Sequence, residues 1–154
     1  MRIYYAQFAP DWTVDKVLSV TSDLENYDIL LNKEVVGVMR LHFNLSTCMV
    51  RDLQVIGSAQ NKGIGMASLQ EAQRLALKAK KNTLSLRVFK ISPAVNLYLR
   101  GNFVIESEDE RFFNMVKNVW RLLLTILAGE KYSPFKKSIY RICTPLLHLK
   151  AYMP

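Results

Sequence analysis

The hydrophobic period of this chain changes between Val55 and Met66, and the change limits the folds open to it. Cys48 to Val55 reads as a β-strand. Beyond it, Met66, Leu69, Ala72, Leu75, Ala76 and Ala79 fall on one face of a helix running from Gly65 to Lys80. Gln70, Glu71, Gln73, Arg74, Lys78 and Lys80 lie largely outside that stripe. Asn82-Thr83 ends the helix, and Leu84 to Val88 reads as another strand. A strand, a crossover helix and a second strand require a parallel pair with a right-handed connection.

The flanking segments fill in the rest of a sheet. Ile3 to Phe8 reads as a short strand, and Trp12 to Asn26 as one or two helical turns with Asp11 as N-cap. Tyr27 to Leu31 and Glu34 to Phe43 are strands joined by the tight turn Asn32-Lys33, and Asn44 to Thr47 turns into the strand at Cys48. Links this short make an antiparallel meander. After Val88, Ser92 caps a short helix with Pro93 at its first position, running through Tyr98 to about Arg100. Gly101-Asn102 turns the chain, Phe103 starts a strand, and Arg111 to Lys117 is its partner. The expected architecture is α/β (α+β), a mixed and mostly antiparallel central sheet flanked by helices.

Length and composition agree with one domain of ordinary size. The chain has 154 residues, half of them apolar. Cys48 and Cys143 form neither a metal pattern nor a disulfide framework, and no histidine arrangement points to a metal, so none is expected. No apolar signal follows Met1, and the stretch from Val119 to Ala128 is interrupted by Arg121 and Thr125. The expected compartment is the cytoplasm. The net charge of +8 is concentrated in the tail, where seven bases and one acid follow from Lys117 onward. The whole-chain charge therefore argues little for a nucleic-acid partner.

The link from strand to helix, Ile56-Gly57-Ser58-Ala59-Gln60-Asn61-Lys62-Gly63-Ile64-Gly65, ends where unpaired N–H groups and the helix dipole favour an anion. Gly63 and Gly65 let backbone approach a phosphate, and Lys62 adds charge. A strand-to-helix turn uses glycine for its own geometry as well, so the segment by itself leaves both readings open. It fits neither the P-loop nor the dinucleotide fingerprint, because the third glycine of the latter is replaced by Ser68.

Gln60-Asn61-Lys62-Gly63-Ile64-Gly65 resembles the signature Gln/Arg-x-x-Gly-x-Gly/Ala of the GNAT N-acetyltransferase superfamily. Downstream, Leu86, Val88, Pro93, Ala94, Leu97, Tyr98 and Phe103 match the family in register, and the match spans residues 27–116. Gly57 stands where the family often has Pro, Ser92 where it has Asn, and Asn102 where it has Gly.

The resemblance implies that acetyl-CoA is the cosubstrate. Its pyrophosphate would lie on Gln60, Asn61, Lys62, Gly63, Ile64, Gly65 and Met66, its arm along Leu53, Gln54 and Val55, with Ser92 and Tyr98 also in contact. Tyr98 is implied to protonate the leaving thiolate, and Asp52 is the candidate general base, with a structural hydrogen bond as its competing role. The acceptor would be a small-molecule or peptide amine, attacking directly in a ternary complex. A catalytically silent acyl-CoA-binding or regulatory module on the same fold is the alternative.

Two regions depart from the family pattern. The segment from Ala9 to Asn26 is short, which leaves an open acceptor cleft for a peptide, a large amine, or a partner subunit as in a homodimer. Residues 1–117 are read as the transferase domain and 118–154 as a basic, apolar extension. Membrane-surface contact through that extension is weighed and not favoured. Glu106, Glu108, Asp109 and Glu110 form an acidic loop that either attracts a cationic amine or is a solvated hairpin turn.

Overall fold

The computed structural model describes Ser19, residues 22–120 and a strand at 140–143. The expected strand from Ile3 to Phe8, the helical turns from Trp12 up to residue 21, and most of the extension lie outside the described residues. The element order is β1 (Glu25–Leu31), β2 (Glu34–Phe43), β3 (Thr47–Val55), a 3-10 turn (Gly57–Ala59), α1 (Ile64–Lys78), β4 (Thr83–Phe89), α2 (Ala94–Arg100), β5 (Val104–Glu108), β6 (Phe112–Asn118) and β7 (Tyr140–Cys143). The strands form one sheet in the order β5-β6-β4-β3-β2-β1-β7. Among the described strands, β3 and β4 are the one pair of neighbours that run parallel, as the crossover helix requires.

Local chemistry explains the meander. Asn32 and Lys33 both take positive φ, 53° and 72°, the twist that a two-residue hairpin needs. Asn44 accepts from the backbone N–H groups of Ser46 and Thr47 at 3.1 and 2.7 Å, which closes the next turn. Residues 22–24 are turn and bend, and Glu25 and Asn26 belong to β1, pairing with Leu41 and Arg40, so no helix extends to Asn26. Phe103 precedes its expected strand and points into the core instead.

The two crossovers, β3-α1-β4 and β4-α2-β5, advance in the same direction across the sheet, so right-handedness puts both helices on one face. That face holds the core: Met39 and Leu41 on β2, Cys48 and Val50 on β3, Leu84 and Leu86 on β4, Met115 on β6, and Leu69, Ala72 and Ala76 on α1 are all buried. Burying each large apolar side chain contributes about 1.5–3 kcal/mol. Desolvation pushes the Cys48 thiol up to about 12, so it behaves as a small core residue.

α1 begins at Ile64 with Gly63 as its N-cap, one residue earlier than expected. α2 begins at Ala94, and the Ser92 hydroxyl accepts from the Ala94 N–H at 3.3 Å, so Ser92 does help to start that helix. Residues 140–143, within the stretch read as an extension, form β7 and pair antiparallel with Asp28–Leu31 of β1.

Candidate active site

The parallel register between β3 and β4 runs from Thr47↔Thr83 to Val50↔Leu86 and stops. β3 continues to Val55 beside β2, and β4 continues to Phe89 beside β6. The sheet therefore opens between Arg51–Val55 on one side and Arg87–Phe89 on the other. The opening starts at a β-bulge: Leu41 pairs with Val50 and Arg40 with Asp52, which leaves Arg51 without a partner on β2.

Alternate residues of an antiparallel strand aim their backbone groups at opposite neighbours. Ile56 N–H donates to the Val36 carbonyl at 2.9 Å. A Cβ added to Gly37 would meet the Gln54 carbonyl oxygen at 2.3 Å. Gln54 and Ile56 thus face β2, and the N–H and C=O groups of Leu53 and Val55 face the opening. Of the three residues expected to receive the cofactor arm, Leu53 and Val55 offer it backbone groups. Gln54 instead donates through its side-chain nitrogen to both oxygens of Asp52, at 3.1 and 2.8 Å.

The loop after β3 is held to the sheet. Gln60 Nε2 donates to the Val55 carbonyl at 2.8 Å, and Gln60 N–H to that of Gly57 at 3.2 Å. Asn61 and Gly63 take positive φ of 58° and 81°. No side chain caps α1 and no acid sits in its first turn, so the N–H groups at its start remain available to an anion.

The two signature glycines have different reasons to be glycine. At Gly63 a Cβ would meet nothing within 4 Å, so the φ is what demands it and the space above is open. At Gly65 a Cβ would lie 2.9 Å from Leu97 Cδ2, so the close approach of α2 is by itself a reason for glycine here. The Ile64 side chain is buried in the core, so only its backbone can face a ligand. Lys62 and Asn61 are exposed on the loop, and Met66 is half-buried in the first turn of α1.

Tyr98 on α2 is 8% exposed and meets Phe103 edge-on, with ring centroids 5.9 Å apart. Burial pushes its phenol up to about 12, and the Asp52 charge adds to the rise. Asp52 lies in an ion pair with Arg40, whose Nε donates to Asn26 Oδ1 at 2.9 Å. The two charged side chains are 14% and 12% exposed. Burial raises the Asp52 carboxyl above its usual range, against the opposing pull of Arg40 and Gln54. Asn26, Arg40, Asp52 and Gln54 make a polar chain across β1, β2 and β3, of which sequence inspection singled out only Asp52 and Gln54.

The acidic loop is largely self-paired. Asp109 Oδ1 accepts from the N–H groups of Arg111 and Phe112, both at 2.8 Å, and these bonds hold its carboxyl below the usual range. Asp109 also pairs with Arg87 at 2.5 Å, and Glu108 with Lys90 at 3.1 Å. The Arg87 guanidinium lies 4.0 Å from the centre of the Phe112 ring, which stacks on Phe89 at 4.2 Å. Asp109 and Glu108 therefore act within the hairpin turn. Among the described residues, no group of three or more His, Cys, Asp or Glu converges as a metal site.

The fold is similar to that of solved acetyltransferase structures. Ard1 from Thermoplasma volcanium is 16% identical, with a TM-score of 0.63 over 76% of this chain and 86% of its own. An acetyltransferase from Bacillus subtilis, solved in complex with CoA, is 21% identical, with a TM-score of 0.62 over 70% and 85%. A GNAT family acetyltransferase from Elizabethkingia anophelis with acetyl-CoA bound is 18% identical, with a TM-score of 0.59 over 70% and 84%. The chain carries the GNAT acetyltransferase fold. No protein-family model and no curated protein matches it by sequence. The GNAT fold places the opening between β3 and β4, and the uncapped start of α1, side by side. No helix among the described residues is long and apolar enough to cross a membrane.

Proposed function

We propose that this protein is an N-acetyltransferase that moves an acetyl group from acetyl-CoA to a primary amine by direct attack. One observation carries the reading. The Leu53 and Val55 edge of β3, left unpaired by β4, leads straight into a glycine-bearing loop and an uncapped helix start. A thioester on an extended amide-bearing arm ending in a diphosphate needs those three things in that order: a strand edge, a close backbone approach at Gly63, and an array of N–H donors. Acetyl-CoA supplies the activated acetyl thioester.

The chain's own residues supply positioning and proton control. The β3 edge and the loop hold the thioester, and an amine entering the opening is brought against it. As the new C–N bond forms and the C–S bond breaks, Tyr98 gives its phenolic proton to the sulfur. Its raised pKa keeps that proton in place at neutral pH. Ser92 fixes the start of α2, the helix that carries Tyr98.

Asp52 enters as acceptor of the amine's proton. Its ion pair with Arg40 favours a second reading, in which it holds the rim of β3 in place. Asp52→Asn separates the two. A base role predicts a loss of about a hundredfold in turnover, and a holding role predicts a lower melting temperature with turnover nearly retained.

The test of the function is thiol release from acetyl-CoA across a panel of amines, small molecules and peptides included, with CoA binding measured beside it. Amine-dependent thiol release supports the transferase. Tight CoA binding with no turnover of any amine would instead make the protein the silent binding module.

A further inference from the structure

The Val55 carbonyl faces the opening between β3 and β4, yet it is not bare, because the Gln60 carboxamide donates to it at 2.8 Å. The contact has an unusual shape. Gln60 is exposed, five residues further along, and reaches back from the loop to the last carbonyl of the strand. A carboxamide N–H meeting a strand-edge carbonyl is the same contact that an incoming extended amide makes when it adds to a sheet edge. The Leu53 carbonyl points the same way, and β4 does not pair with it.

We propose that the Gln60 side chain is a displaceable stand-in for an amide of the cosubstrate's arm, holding the Val55 carbonyl while the edge is bare and yielding it when the arm arrives. This rests on the acyl-CoA reading given above. It makes Gln60 a gate on the amide-bearing part of the ligand and leaves the diphosphate part untouched. The phosphate side is served by the N–H groups at the start of α1, which this side chain does not occupy.

Binding of two probes tests it. CoA carries both the diphosphate and the amide arm, and ADP carries the diphosphate without the arm. Gln60→Ala and Gln60→Met both remove the donor, and Met keeps the length of the side chain. Both variants are expected to bind CoA more tightly by about fivefold, the change that one net hydrogen bond carries, with ADP affinity unchanged. Weaker or unchanged CoA binding in both variants overturns the proposal, because the side chain would then be a staple for the loop or a direct ligand contact. CoA and ADP affinities that fall together overturn it in the same way. A wild-type protein that binds neither probe would remove the acyl-CoA reading itself, which separates that failure from a failure of the gate.

Discussion

The two lips of the opening in the sheet are built on opposite principles. On the β3 lip, Leu53 and Val55 turn backbone groups toward empty register, Gly63 leaves space above a positive φ, and α1 starts without a cap. On the β4 lip nearly every charge is answered from within: Arg87 by Asp109, Lys90 by Glu108, and the Lys90 N–H by the Arg111 carbonyl at 2.9 Å. Both lips follow from the same event, the end of parallel pairing at Val50↔Leu86. One lip keeps backbone groups that β4 leaves unpaired, and the other is a finished wall. Hydrogen-bonding groups that a fold leaves unanswered beside a cleft point to binding better than charge does, because charged side chains readily find partners in their own chain.

The largest expected effect belongs to the proposed proton donor on α2. Tyr98→Phe is expected to lower turnover about a hundredfold with CoA affinity nearly unchanged, measured by thiol release and calorimetry. The same variant has a signature in stability. A phenol near 12 in the folded protein, against an ordinary value of 10.0, contributes stability that is present below about pH 10 and lost between about 10 and 12. Melts of wild type and Tyr98→Phe should therefore converge as the pH rises through that window, and parallel curves would contradict the buried phenol.

Next in size is the open lip. Gly63→Val forces a branched side chain to φ 81° above the start of α1, and CoA affinity should fall on the order of tenfold. Gly65→Val should behave differently. It drives a side chain into Leu97 and should cost about 1–3 kcal/mol of stability in a denaturant titration, before any effect on the ligand is considered. If the two substitutions had the same effect, the division of labour between the glycines would be wrong. The smallest effect belongs to the finished wall. Arg87→Ala should lower the melting temperature less than Gly65→Val does, leave CoA affinity alone, and lose its effect in about 1 M salt.

Much of the fold was legible because local chemistry and long-range pairing agree. Asn32-Lys33, Asn44 and the apolar stripe of α1 each announce their element, and the crossover fixes β3 and β4 as parallel. The elements proposed to hold the cofactor were legible for the same reason, since a strand, a glycine-bearing loop and a helix are contiguous in sequence. The polar chain was not. Counting back from the turn at Asn44, an unbroken register would set Arg40 opposite Arg51, two like charges. The bulge slips the strand by one residue and brings Asp52 opposite Arg40 instead. Nothing in the run Met49 to Val55 marks where that residue must be dropped. The packing of Gly65 on Leu97 was not legible either, because Leu97 is more than thirty residues away in the chain. β7 escaped notice because four residues make a strand only when a partner edge is waiting.

That last strand has a consequence for how the chain survives in solution. By lying against Asp28–Leu31, Tyr140–Cys143 covers the row of amides and carbonyls that would otherwise form the border of the sheet on that side. Bare borders of this kind recruit strands from other molecules. A polypeptide stopped after β6 would keep every residue of the opening between β3 and β4 and of the loop, yet present an adhesive flank to its neighbours. Tyr140–Cys143 thus shield this part of β1 from pairing with a neighbour.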